Sequence, residues 1–177
     1  MLVLLSLFLM SVPQFVFAAD LPSSQDLKLT HIARADSGGM YALSSNKGAL
    51  YSKNRGRKWQ TVNQGLPLEQ VWPFDQGHYR RFTSFSLDSQ NTHRLAATTS
   101  SALYTSRDAG RAWVEVRLSY PVKSRDYLTA VSFDPDHPRR IYLGTSFNGL
   151  FVSEDEGRSW RKESEHLDAL YRGAGFY

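Results

Sequence analysis

Three stretches of this chain carry the same residues at the same spacing, and no other feature restricts the fold as much. The first is Ser52-Lys53-Asn54-Arg55-Gly56-Arg57-Lys58-Trp59. The second is Ser106-Arg107-Asp108-Ala109-Gly110-Arg111-Ala112-Trp113, and the third Ser153-Glu154-Asp155-Glu156-Gly157-Arg158-Ser159-Trp160. Each reads Ser-x-(Asp/Asn)-x-Gly-x-x-Trp, and successive serines lie 54 and 47 residues apart. A period of that size marks a stack of supersecondary units, each buried against its neighbours.

The repeat extends upstream of each motif. Phe82 to Asp88 and Arg94 to Thr99 precede the second copy. Leu128 to Asp134 and Arg140 to Thr145, separated by Pro135-Asp136-His137-Pro138, precede the third. Leu27 to Ala33, the turn Asp36-Ser37-Gly38-Gly39 and Met40 to Ser44 precede the first. Every unit reads strand, turn, strand, turn, strand, motif, strand, with Gly, Pro, Asn and Asp at the breaks. Four short antiparallel strands, repeated, predict an all-β chain of β-propeller blades. Three blades are present, and a closed ring has about 4–8, so an incomplete ring is expected. Its apolar blade faces would be covered by further blades of the same chain or by other copies.

The motif has a physical logic at the turn between the third and fourth strands. A carboxylate or amide oxygen at Asn54, Asp108 or Asp155 accepts bonds from nearby backbone N–H groups. Gly56, Gly110 and Gly157 supply a backbone angle that other residues resist. Trp59, Trp113 and Trp160 follow on the fourth strand, placed to pack against a neighbouring sheet. Ser52, Ser106 and Ser153 open the turn. All twelve residues read as structural.

These motifs, with Phe133-Asp134-Pro135, Ile141 to Thr145, Gly149 to Ser153 and Trp160, resemble the Asp-box (BNR) repeat proteins. Similar blades occur in xyloglucan-cleaving glycosidases, sortilin-type receptors and photosystem II assembly factors. The resemblance covers nearly all of residues 27–162 and implies a blade rather than one of those activities.

Residues Met1 to Ala18 carry no charged side chain and are mostly Leu, Val, Phe and Met. A membrane-spanning helix needs about 20 apolar residues, whereas Ser11, Pro13 and Gln14 interrupt this shorter run. The pattern is that of a signal peptide, so an exported, periplasmic or secreted protein is expected, with no membrane span in the mature chain. The organisation follows: signal peptide 1–18, blade one 19–65, blade two 66–119, blade three 120–162, and 163–177 as a linker toward a further blade. There are no cysteines, which rules out disulfides and thiolate chemistry. The net charge of +4 is spread among charges of both signs, unlike a nucleic-acid binder.

Catalytic constellations are scarce. Glycoside hydrolysis needs two carboxylates about 5–9.5 Å apart. Asp75, Asp126 and Asp168 lie in blade-to-blade connections and read as solvated loop residues. Asp88 and Asp134 end inner strands and read as turn holders. His31, His78, His93, His137 and His166 show no paired ligand spacing, so neither metal nor cofactor is expected. An arginine triad of the sialidase type is not apparent.

A binding surface is the better reading. The connection Gly65 to Arg81 places Trp72, Phe74, Tyr79, Arg80 and Arg81 close together in sequence. The next connection adds Tyr120, Lys123, Arg125 and Tyr127. Aromatic and Arg side chains dominate recognition patches and stack on sugars. Trp72, Tyr79, Arg80, Arg81, Arg125 and Tyr127 are therefore the candidate binding residues, for a protein or glycan ligand. A non-catalytic scaffold is the leading expectation, and the N-terminal part of a propeller glycosidase is the alternative.

Overall fold

The computed structural model describes residues 27–35, 38–69, 78–79, 81–118 and 126–163. The expected signal peptide, and all of the expected C-terminal linker but Glu163, lie outside these residues. The strands are β1 (Leu29–Arg34), β2 (Met40–Ser44), β3 (Gly48–Ser52), β4 (Gln60–Thr61), β5 (Leu68–Glu69), β6 (His78–Tyr79) and β7 (Phe82–Leu87). They continue as β8 (Leu95–Thr99), β9 (Leu103–Ser106), β10 (Val114–Val116), β11 (Leu128–Phe133), β12 (Ile141–Thr145), β13 (Leu150–Ser153) and β14 (Arg161–Lys162). Three four-stranded sheets result, β1-β2-β3-β4, β7-β8-β9-β10 and β11-β12-β13-β14. All neighbours within them are antiparallel. The protein is an all-β propeller, with three blades and no closed ring among the described residues.

The inner strands β1, β7 and β11 touch in succession, which sets the blades side by side around one axis. Between β7 and β11 the contact is parallel: the amides of Val131 and Phe133 donate to the Ser84 and Ser86 hydroxyls of the preceding blade at 3.1 and 3.2 Å. Thus the open edge of β11 is satisfied by side chains from β7, which offsets the cost of leaving buried donors unpaired. Each inner strand also slips register at one place, between Leu29 and His31, Phe82 and Ser84, and Leu128 and Ala130. The bulged residue is Thr30, Thr83 or Thr129. The Thr30 and Thr83 hydroxyls donate back to the Leu43 and Thr98 carbonyls.

Burial follows the period-two alternation of strands. Between the first two blades, Tyr41, Leu43 and Ala49 meet Phe82, Leu95, Ala97, Ala102, Tyr104 and Trp113. Between the second and third, Ala96 and Leu103 meet Leu128, Val131, Phe133, Ile141, Leu143 and Phe151. Each leucine fully buried in these seams contributes about 1.5–3 kcal/mol.

The repeated turn has the same hydrogen-bond set three times. The Ser52, Ser106 and Ser153 hydroxyls accept from the Gly56, Gly110 and Gly157 amides at 2.8, 2.9 and 2.7 Å. The Asn54, Asp108 and Asp155 side-chain oxygens accept from the amides of Lys58, Ala112 and Ser159. The residue before each glycine is left-handed, with φ of 59° at Arg55, 63° at Ala109 and 64° at Glu156. Each Trp sits one residue ahead of the outer strand rather than on it. The Trp113 indole N–H reaches the Val62 carbonyl of the preceding blade at 2.8 Å, while Trp59 packs on Ala42 and Leu50 of its own blade.

The expected loop between the first two blades contains a small hairpin, with Leu68 opposite Tyr79 and Glu69 opposite His78. Just before it, the Gln64 carbonyl accepts the Trp113 amide at 2.8 Å. Gly65, with φ of +89°, lies so close that a Cβ would stand 2.0 Å from the Trp113 carbonyl oxygen. Gly65→Ala is accordingly expected to cost about 3 kcal/mol or more in chemical denaturation, by the strain and clash it forces. A loss under about 0.5 kcal/mol, the size of an ordinary surface change, would remove this seam from the account.

Hydrogen bonds from the Ser159 hydroxyl and amide lower the Asp155 carboxyl to about 2, assisted by Ser153 and Arg158 and opposed by burial. A depressed folded value adds stability above the unfolded value, near 4, and that stability is lost as pH falls toward about 2. Asp155→Asn keeps the acceptor, as Asn54 does, without the charge. Thermal melting between pH 5 and 2, measured at steps of about half a unit, should fall more steeply for the wild type than for Asp155→Asn. Parallel curves would contradict the assignment.

Candidate functional site

In an antiparallel blade the two ends differ. One end carries the repeated turns, and the opposite end carries the starts of the inner strands and the middle hairpins β2–β3, β8–β9 and β12–β13. Blade-to-blade connections arrive at this second end. Lys28, Arg81 and Tyr127 occupy equivalent places, each one residue before β1, β7 or β11, and all three are exposed. Arg81 and Tyr127, both expected from sequence, are thus placed on one face. Tyr79 lies in β6, and Trp72, Arg80 and Arg125 lie outside the described residues.

Asp126 organises this face. It was expected to be a solvated loop residue, but it is only 5% exposed. Its Oδ1 accepts the Phe147 amide at 2.9 Å, the Ser146 hydroxyl at 3.0 Å and the Tyr127 amide at 3.1 Å. Its Oδ2 accepts the Asn148 side-chain amide. Burial alone would push the carboxyl up, but the bonds from Asn148, Phe147, Ser146 and Tyr127 outweigh it and hold the group below the ordinary carboxylate value. The correction has a simple cause: the β12–β13 turn folds back over the start of β11 and supplies three donors, from Ser146, Phe147 and Asn148, that the linear sequence does not show. A carboxylate so occupied binds a turn; it is not poised to donate a proton at neutral pH.

The consequence is that two aromatic residues, Tyr127 and Phe147, stand at neighbouring backbone positions. Ser146 and its amide bond the Tyr127 amide and carbonyl at 3.0 and 2.9 Å. The neighbouring Phe147 then projects from the hairpin tip with 77% of its surface exposed, and Tyr127 keeps 52%. Phe147 was not among the sequence candidates. The signal was available: the matching hairpin of the first blade is Ser45-Asn46-Lys47, wholly polar, whereas the third has Ser146-Phe147-Asn148. An apolar side chain at a turn tip, where polar residues dominate, marks a position not selected for the turn itself.

Elsewhere among the described residues, Asp88 and Asp134 are engaged. Asp88 accepts the Gln90 and Asn91 amides and pairs with Arg94 at 2.9 Å. Asp134 accepts the Asp136 and His137 amides and bonds Arg140, His137 and Tyr142. Burial opposes and these bonds lower the Asp134 carboxyl, well below its usual range. A cleft of about 600 Å³ opens between β10 and the β13–β14 turn, at the opposite end from the aromatic pair. There Glu156 pairs with Arg107 at 2.6 Å, Asp108 caps its own turn and Glu115 accepts the Tyr104 hydroxyl. Among the described residues no group of His, Asp and Glu gathers as a metal site, and no helix is long and apolar enough to cross a membrane.

Comparison with known proteins places this architecture. A probable oligoxyloglucan-reducing end-specific xyloglucanase of Neosartorya fischeri is 22% identical over 152 residues, covering 77% of this chain and 19% of that protein. The chain therefore spans about a fifth of the length of this curated relative. A solved GH74 xyloglucanase from Xanthomonas campestris superposes with a TM-score of 0.57 at 22% identity, covering 78% of this chain and 24% of its own. A structure described as YCF48 bound to D1 peptide gives 0.56 at 12% identity, covering 80% and 42%. At these identities the solved structures share the propeller fold. The family model of the DUF6242 beta propeller domain matches residues 18–174, and the chain belongs to that family.

Proposed function

We propose that this chain is a non-catalytic, exported binding scaffold whose recognition face is the end bearing Tyr127 and Phe147. The observation that carries this reading is the pairing of two largely exposed aromatics with a buried carboxylate spent on holding them. Large, stiff aromatic side chains lose little entropy on binding and bury much area. Arg81 and Lys28 add positive charge at equivalent positions of the neighbouring blades, and Trp72, Tyr79, Arg80 and Arg125 extend the same surface in this proposal. The three turns are read as Asp-boxes, which ties the chain to a class of propellers used for both protein and glycan recognition. The uncharged, apolar run at 1–18, read as a signal peptide, supports export.

A second reading, part of a glycoside hydrolase, is favoured by the likeness to xyloglucanases. It needs two carboxylates facing one glycosidic bond, and Asp126 is committed to its turn. Asp75 and Asp168 would then have to serve, with carboxylates from further blades.

The two readings separate by experiment. Tyr127→Ala with Phe147→Ala, and separately Arg80, Arg81 and Arg125 to Ala, should each weaken ligand binding on the order of tenfold or more. The melting temperature should shift by no more than an ordinary surface change, within about 0.5 kcal/mol. Glycan and peptide arrays identify the ligand class, and a xyloglucan hydrolysis assay is expected to show no turnover. Turnover abolished by Asp75→Asn or Asp168→Asn would replace the scaffold reading. Unchanged binding in both sets of variants would move the site elsewhere.

A further inference from the structure

Among the described residues, the first and third blades each leave one side without a neighbouring blade, whereas the middle blade is covered on both sides. At the second junction, Ala96 and Leu103 pack on Val131, Ile141 and Leu143. The Ser84 and Ser86 hydroxyls there meet the β11 amides, and Arg107 pairs with Glu156 at 2.6 Å. Val131 is 6% exposed in that seam. The equivalent residue in the first blade is Ile32, as the strand registers show: Ile32 lies opposite Ala42, and Val131 opposite Leu143. Ile32 is 58% exposed. The first blade therefore presents the half of the junction that the third blade presents to the second, and no other described residue covers it.

The ion pair gives the partner. Within the repeated turn, Lys53, Arg107 and Glu154 are equivalent, and so are Arg55, Ala109 and Glu156. Continuing the stack beyond the third blade with a first blade would bring Glu154 to the place of Arg107 and Arg55 to the place of Glu156. The result is the same ion pair with its signs exchanged. Arg55 shares the left-handed backbone of Glu156, with φ of 59° against 64°. It lines a hollow of about 380 Å³ with Arg34, Gly38 and Met40. Glu154 bonds Arg140 and Arg161 of its own blade and still keeps 46% of its side chain exposed.

We propose that the occupant of each open face is a second copy of this chain, the first blade of one docking on the third blade of the other. Both signs of the pair, Arg55 and Glu154, reside in one chain. A head-to-tail contact of this kind must close or it runs on as a filament. Two copies of three blades close a ring of six, inside the usual range of about 4–8, whereas three copies would exceed it. Two copies of the aromatic face then lie on that ring.

Sedimentation velocity of the full chain tests this. The wild type should sediment as a dimer. Arg55→Glu sets two glutamates against each other, and the dissociation constant should rise on the order of tenfold or more. The third blade already folds with Glu at that position, so the variant should fold. Adding Glu154→Arg rebuilds the Arg107–Glu156 pair between copies and should restore the dimer. Ile32→Asp, on the apolar part of the face, should also give monomers. A wild type that stays monomeric at every concentration overturns the proposal, and leaves the face to a further blade of a longer chain. A dimer insensitive to Arg55→Glu and Ile32→Asp overturns it too, as does a double variant that fails to restore association.

Discussion

Blade-against-blade packing is the interaction on which everything else in this protein rests. A single four-stranded sheet of this size has two faces and too little thickness to bury either one alone. The seams solve this twice. They enclose Leu43, Leu95, Leu128 and Leu143, all fully buried. They also satisfy polar groups across the gap, through Ser84 and Ser86 on β11 and through Trp113 on the Val62 and Gln64 carbonyls. Because backbone amides and indole take part, the blades are fixed in register as well as in contact. The surface at the inner-strand starts inherits that rigidity.

The repeat was legible because its residues are dictated by local geometry. Ser, Asp or Asn, Gly and Trp recur at fixed offsets since the turn needs a hydroxyl acceptor, a second acceptor four residues before an amide, and a left-handed pair. Asn54 does this work as Asp155 does, which is why the first copy could be recognised despite the change. Strand order followed from the alternation between those turns. Features made by distant residues were not legible. Asp126 looked like a solvated loop residue because its donors come from a turn about 20 residues away. The hairpin Leu68–Glu69 with His78–Tyr79 was hidden by its short strands. The bulged threonines at 30, 83 and 129 were visible as an aligned column, yet their role depends on a register slip that only the paired strand reveals.

The division of labour between the two ends of the sheets shapes the functional reading. The conspicuous acids, Asp88, Asp108, Asp134 and Asp155, sit at the turn end and are consumed by capping and ion pairs. Among the described residues the opposite end has one buried acid, Asp126, and that acid builds a turn. What remains there for a ligand is shape, aromatic surface and a few cations. The open faces at the two sides of the stack are a separate matter, since they concern assembly and lie away from the aromatic pair.

Amide hydrogen exchange at Val131 and Phe133 tests the central claim most directly. Both amides belong to the open edge of β11, and only the neighbouring blade's serines cover them. If the blades pack as described, these amides exchange slowly, at rates close to those of amides inside the sheet, and Ser84→Ala with Ser86→Ala accelerates them. Rapid exchange in the wild type, at the rate of a solvent-exposed strand edge, would mean that the blades do not pack on one another in solution.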